Sequence, residues 1–192
     1  MRALLIVNPN ATSTTAEGRD LLAHALASRL QLEVAHTTHR GHAAELARRA
    51  VLEGMTHVVV HGGDGTVNEV AKELINTDTV LGIIPFGSGN GLARDLNIPL
   101  DLVKAIKVIQ QGNIRTIDYG SANDHIFFCT CGVGFDAFIS DKFADEKKRG
   151  PLGYVRNIVE GVIEFKSEEY EITYDDGVLN ERAFLVTCAN AS

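Results

Sequence analysis

Apolar positions in the first half of the chain follow two alternating periods. Short apolar runs at residues 3–7, 32–36, 58–60 and 80–84 read as strands. Each is followed by a stretch whose apolar residues recur every three or four positions: Leu21, Leu22, Ala25, Leu26 and Leu30; Ala43, Leu46, Ala47, Ala50 and Val51; Val67, Val70, Ala71, Leu74 and Ile75; and a short helix with Leu92, Ala93 and Leu96. Four such units imply an α/β fold, a parallel sheet with helices on its faces. One more helix, 102–109, carries Ala105 and Ile106, and after Gly112 and Asn113 the pattern changes. Residues 114–120 and 125–131 read as strands around a turn at Asn123-Asp124, and 170–174 and 183–188 flank a second turn at Asp175-Asp176-Gly177. Between them lie a charged stretch, 141–150, and a helix marked by Leu152, Val155, Val159, Val162 and Ile163. The chain therefore divides into an α/β domain over 1–115 and a β-rich domain over 116–192.

In a sheet of this kind the ligand sits beyond the carboxyl ends of the strands, so the chemistry is sought in the strand-to-helix loops. The third loop reads His61-Gly62-Gly63-Asp64-Gly65-Thr66-Val67-Asn68-Glu69. Its glycines let backbone N–H groups converge on an anion at the positive end of the following helix. Thr66 with Glu69 three residues on has the spacing of a capping box, which would start the helix there. Asp64 would repel a phosphate unless a cation, most simply magnesium, stood between them. The fourth loop, Gly87-Ser88-Gly89-Asn90-Gly91-Leu92, adds backbone donors, a hydroxyl and an amide suited to phosphate or ribose oxygens. Leu92 stands where G-x-G-x-x-G would need its last glycine, which disfavours a simple dinucleotide-binding fold, and no G-x-x-x-x-G-K-[ST] is present. Asn8 and Thr37, in the first and second loops, fall around the same crevice.

Composition narrows the classes. The 192 residues are 45% hydrophobic and 22% charged, an ordinary globular balance, with a formal charge of -7 that argues against general nucleic-acid binding. Three cysteines, two of them alternating at Cys129 and Cys131, give neither a disulfide framework nor a zinc spacing and suit a reducing, cytoplasmic setting. No apolar stretch approaches the roughly 20 residues that span a bilayer. His36, His39 and His42 lie close together without a recognised ligand spacing, and no metal is assigned to them. Lys142, Lys147, Lys148 and Arg149 are interleaved with Asp141, Asp145 and Glu146, the mark of a solvated face.

Taken together, Asn8-Pro9, the Gly62-Gly63-Asp64-Gly65-Thr66 turn with Asn68-Glu69, the Gly87 to Arg94 segment and Gly132-Val133-Gly134-Phe135-Asp136-Ala137 resemble the catalytic domain of the diacylglycerol kinase and sphingosine kinase family, in its bacterial lipid kinase branch. The resemblance runs over essentially the whole chain. It implies a phosphofructokinase-like α/β domain followed by the beginning of a β-sandwich, with ATP and magnesium as cofactors and γ-phosphoryl transfer to a hydroxyl of a diacylglycerol-like or sphingoid lipid. Carried over by position, Gly62, Gly63, Asp64, Gly65, Thr66, Val67 and Asn68 wrap the phosphates, and Asn8, Thr37, Gly87, Ser88, Gly89 and Asn90 complete the nucleotide site. Asp64 acts through magnesium, and Asp136 faces the acceptor. The implied partners are a lipid substrate and the inner membrane surface, touched peripherally from the cytoplasm; a homodimer is compatible, and nucleic acid is not a partner.

Two departures from the family pattern stand out. Gly91 occupies a position where the family commonly has Asp, and the Asp-Gly-x-Leu segment that carries the family's proposed general base has no counterpart. Asp176-Gly177-Val178-Leu179 fits those letters but reads as a hairpin turn. The expectation is a truncated form that binds nucleotide better than it turns it over. An NAD kinase shares the Gly-Gly-Asp-Gly-Thr turn, and a non-catalytic nucleotide-binding module lacks a base, so both stand as alternatives.

Overall fold

The computed structural model describes residues 2–9, 31–135, 137–138 and 165–190. The expected helix with Leu21 to Leu30, the charged stretch 141–150, the helix from Leu152 and the side chain of Asp136 lie outside the described residues. The chain forms two compact units, Met1–Cys129 and Thr130–Asn190.

In the first unit β1 (Arg2–Val7), β2 (Gln31–His36), β3 (His57–Gly62) and β4 (Val80–Pro85) form one all-parallel sheet in the order β2-β1-β3-β4. A parallel sheet needs cover on both faces, which explains why its strands are nearly continuous apolar runs. Successive side chains point to opposite faces, and the core splits accordingly. Leu4, Ile6, Val58 and Val60 pack under α1 (His42–Leu52), α2 (Asp64–Glu73) and α3 (Gly91–Asp95), through Ala43, Leu46, Ala47, Ala50, Val67, Val70, Ala71 and Leu92. Leu5, Val7, Val59 and Ile84 face α4 (Leu102–Gln111) through Ala105 and Ile106. Each of the leucine, isoleucine and valine side chains among them, once buried, contributes about 1.5–3 kcal/mol. Helix α4 has complete ends: the Asp101 carboxylate accepts from the Lys104 N–H at 3.0 Å, and Gly112 closes the helix with φ 70°. Between α1 and α2, Arg48 makes a two-pronged ion pair with Glu73 at 2.8 and 3.0 Å.

The order β2-β1-β3 places the reversal of strand order between β1 and β3. From β1 the chain moves outward to β2 and then returns to the other side of β1. The carboxyl ends of β1 and β3 therefore flank the switch point, the place where open α/β sheets bind their ligands.

The described part of the α/β half agrees with the pattern of the sequence, and the next stretch departs from it. Residues 114–120 were expected as a strand, but only β5 (Gly120–Ala122) forms, paired with β6 (His125–Phe127). The turn between them carries Asn123 and Asp124 at φ 47° and 66°, the positive values a two-residue hairpin requires. Residues 113–119 have no strand partner. They run past the outer edge of β4 across an open cavity of about 780 Å³, lined among others by Leu81, Ile83, Ile109, Ile114 and Tyr119. The expected strand 125–131 is two strands: after β6 the chain bends at Phe128 and Cys129 and continues as β7 (Thr130–Gly134). Phe128 is buried in the α/β core with Ile117 and Ile126 beside it, which draws this hairpin into the first compact unit.

In the second unit β8 (Glu168–Tyr174) and β9 (Gly177–Ala183) form a hairpin closed by Asp175 and Asp176, while β7 pairs antiparallel with β10 (Leu185–Ala189). The partner of 170–174 is therefore 177–183 rather than 183–188. Asp176-Gly177 lies at a hairpin turn, as its letters suggested. Phe135, Phe165 and Phe184 cluster with ring centroids 4.4–5.8 Å apart.

Candidate nucleotide site

Four loops leave the carboxyl ends of the four parallel strands, and backbone hydrogen bonds tie neighbouring loops together. The Asn8 N–H donates to the His61 carbonyl at 3.1 Å, the Thr37 N–H to the Val7 carbonyl at 2.9 Å, and the Phe86 N–H to the Gly62 carbonyl at 2.8 Å. Asn8 also donates from Nδ2 to Thr66 Oγ1 at 2.9 Å, which spans the β1–β3 crevice.

Helix α2 starts at Asp64, with Gly63 as its N-cap and no side-chain cap. The capping box is thus corrected. Thr66 is already inside the first turn, buried, and bonded to Asn8; the Glu69 carboxylate accepts instead from the Gly41 N–H at 3.0 Å, holding the second loop to α2. The first intrahelical bond runs from the Val67 N–H to the Gly63 carbonyl at 3.0 Å. The N–H groups of Asp64, Gly65 and Thr66 precede it and have no place in the helical ladder. Three uncommitted donors at the positive end of a helix form an anion cradle. Val67 belongs to the core, with its N–H inside the ladder, and Asn68 lies half-buried one residue further along.

Glycines in the two loops divide by what their missing side chains would strike. A Cβ at Gly63 would lie 3.2 Å from Gly87 Cα, one at Gly87 2.7 Å from Gly63 Cα, and one at Gly89 2.7 Å from Asp64 Oδ2. These glycines exist because the two loops touch. A Cβ at Gly65 would meet nothing within 4 Å, so its side faces open space beside the cradle.

The second glycine loop spends most of its donors internally. Asn90, buried and left-handed at φ 54°, accepts from the Gly87 N–H through Oδ1 at 2.8 Å and donates from Nδ2 to the Gly87 carbonyl at 2.7 Å. The Asn90 and Gly91 N–H groups donate to Asp64 Oδ2 and Oδ1 at 2.7 and 2.6 Å. Arg94 donates from Nε to the Gly89 carbonyl at 2.8 Å. Ser88 remains exposed at the rim.

Other groups complete the surroundings. His61, fully buried with no signal in the sequence beyond its place before the glycines, stacks on Phe86 with ring centroids 4.6 Å apart. His39 and His42 stack at 4.9 Å and share the Thr38 hydroxyl, while His36 lies exposed at the end of β2. Burial, and then the carboxylates of Asp64 and Asp95, push the Cys129 thiol up, so it stays protonated and unreactive at neutral pH.

The donor set bears on magnesium directly. Asp64 is a single carboxylate with a backbone donor on each oxygen, and no group of three or more His, Cys, Asp or Glu side chains among the described residues could hold an ion. These residues do not fit a protein-held magnesium site.

An open parallel α/β sheet with a helix start at its topological switch point is an arrangement that binds ligands beyond the carboxyl ends of its strands. The model of the diacylglycerol kinase catalytic domain matches residues 2–122, and the chain belongs to that family. It is 32% identical to a diacylglycerol kinase of Bacillus subtilis over 99% of this chain and 66% of that protein. It is 31% identical to an uncharacterised protein of Synechocystis sp. over 98% of this chain and 47% of the other. A crystal structure of a diacylglycerol kinase from Bacillus anthracis superposes with a TM-score of 0.77 at 30% identity, covering 99% of this chain and 64% of that one. The chain thus spans between about half and two thirds of the length of these relatives.

Proposed function

We propose that this chain carries the nucleotide half of an ATP-dependent lipid kinase that transfers the γ-phosphoryl group to a hydroxyl of a diacylglycerol-like or sphingoid lipid. The observation that carries the reading is the start of α2 at the β1–β3 switch point, where the N–H groups of Asp64, Gly65 and Thr66 precede the first intrahelical bond and the side of Gly65 is open. Phosphoryl transfer asks little covalent chemistry of a protein. It needs the polyphosphate held in line and its charge stabilised, and preorganised backbone donors do both.

In this reading Gly62 and Gly63 bring the strand end close to the phosphates, Asn8 holds Thr66 in place, and Thr37, Ser88 and Gly89 border the nucleotide. Magnesium enters carried on the polyphosphate. Asp136, outside the described residues, keeps its proposed place facing the acceptor. Lipid as acceptor implies peripheral contact with the inner membrane surface from the cytoplasmic side. No helix among the described residues is long and apolar enough to cross a membrane. A homodimer is compatible with this arrangement.

Calorimetry with ATP on wild-type chain and on Gly65→Ala tests the cradle. Saturable binding that falls in Gly65→Ala, whose methyl group would stand in the open space beside the cradle, supports it, and equal affinity in both refutes it. Acceptor screening, with diacylglycerol in mixed micelles set against NAD, tests the substrate. Labelled phosphate should appear in the lipid, and labelling of NAD alone would move the chain to the dinucleotide kinases.

A further inference from the structure

The geometry points to Asp64 as a positioning residue that locks the second glycine loop to the start of α2, rather than as a ligand of magnesium. The inference rests on the nucleotide reading above and assigns the carboxylate at its centre a different task.

Asp64 is the first residue of α2, so its backbone N–H belongs to the anion cradle while its side chain reaches away to the fourth loop. There the two carboxylate oxygens take the Asn90 and Gly91 N–H groups, one each, at 2.7 and 2.6 Å. Both bonds are charge-assisted and short. Asn90 in turn folds the loop on itself through two bonds to Gly87, and Gly87 lies against Gly63 so closely that a Cβ there would stand 2.7 Å from Gly63 Cα. The chain of contacts closes a ring: Asp64 to Asn90, Asn90 to Gly87, Gly87 to Gly63, and Gly63 to Asp64 along the backbone. Such a ring fixes the distance between the cradle and the loop wall opposite it. The phosphates then meet donors that are already in place.

The charge is also accounted for. A bare carboxylate beside a polyphosphate would be repulsive, but here two backbone N–H dipoles at the start of α3 donate to it and offset part of its charge. Gly89 reports how tightly the carboxylate is seated, since a methyl group there would lie 2.7 Å from Asp64 Oδ2. Gly91 contributes its N–H and carries no competing side chain.

The two roles separate in a binding experiment on the 192-residue chain with a non-hydrolysable ATP analogue, with and without magnesium. Asp64→Asn removes the charge and one acceptor oxygen. If Asp64 is the lock, the variant loses about tenfold or more in affinity under both conditions, and the ratio of magnesium-bound to magnesium-free affinity stays at the wild-type value. Gly89→Ala, which keeps the charge but unseats the carboxylate, should reproduce the same pattern. Hydrogen exchange gives an independent readout: the Asn90 and Gly91 amides, protected in the wild type, become fast in both variants. Asp64→Asn losing only the magnesium-dependent part of the affinity, with those two amides still protected, would overturn the assignment. Wild-type chain that bound no nucleotide would bring down the kinase reading alone; the lock would then stand or fall on whether the Asn90 and Gly91 amides are slow in the wild type and fast in Asp64→Asn.

Discussion

The two glycine turns of the α/β unit look alike as sequence and behave as opposites. Gly62 to Thr66 leaves the N–H groups of Asp64, Gly65 and Thr66 outside any helical ladder, while Gly87 to Gly91 commits the N–H groups of Gly87, Asn90 and Gly91 to Asn90 and Asp64 side chains. In the proposed reading the first turn is a receptor and the second a strut. Glycine content alone therefore says little about where an anion binds. What decides is whether each backbone donor already has a partner.

Substitutions that fall on one turn or the other should separate these roles. Asn90→Ala should be the most damaging to stability, because it removes both side-chain bonds to Gly87 and forces a residue with a Cβ but no compensating hydrogen bond into φ 54°. A loss of about 2–4 kcal/mol in denaturant unfolding is expected. Gly87→Ala comes next: its methyl group would strike the Gly63 backbone, at about 1–3 kcal/mol. Gly65→Ala should run the other way in stability, raising it by about 0.5–1 kcal/mol as a helical Gly-to-Ala change with no clash, while it weakens ATP binding. A Gly65→Ala protein less stable than wild type would break the contrast between the turns.

The smallest effect lies away from both turns. His57, at the start of β3, has its pKa lowered by burial and then by the positive chain terminus. A depressed histidine binds fewer protons folded than unfolded, so its contribution is present above the ordinary value near 6.5 and is lost as pH falls through the folded value. Thermal unfolding should show a slight decline below about pH 6.5, and His57→Gln should flatten it.

Much of the α/β half was legible because its signals are local. Runs such as Val58-Val59-Val60 and the three- and four-residue spacing of Ala43, Leu46, Ala47 and Ala50 report burial directly. The site was legible in outline only. Asp64 pairs with residues 26 and 27 positions away, and Asn8 with one 58 away, so no local pattern could reveal that the carboxylate serves the second loop or that Thr66 bonds to Asn8. The capping-box spacing of Thr66 and Glu69 was a coincidence of letters, because both side chains have partners in other loops. The later strands failed for a related reason: β7 finds its partner only at β10, and residues 113–119 carry strand-like letters with no strand beside them.

The central claim is that the anion binds at the start of α2 and nowhere else in the two turns. Amide NMR spectra recorded as ATP is added test it most directly. Shifts that saturate at Asp64, Gly65 and Thr66, with the Asn90 and Gly91 amides still protected from exchange, are the predicted result. Largest shifts within Gly87 to Gly91, or none at Gly65, would contradict it.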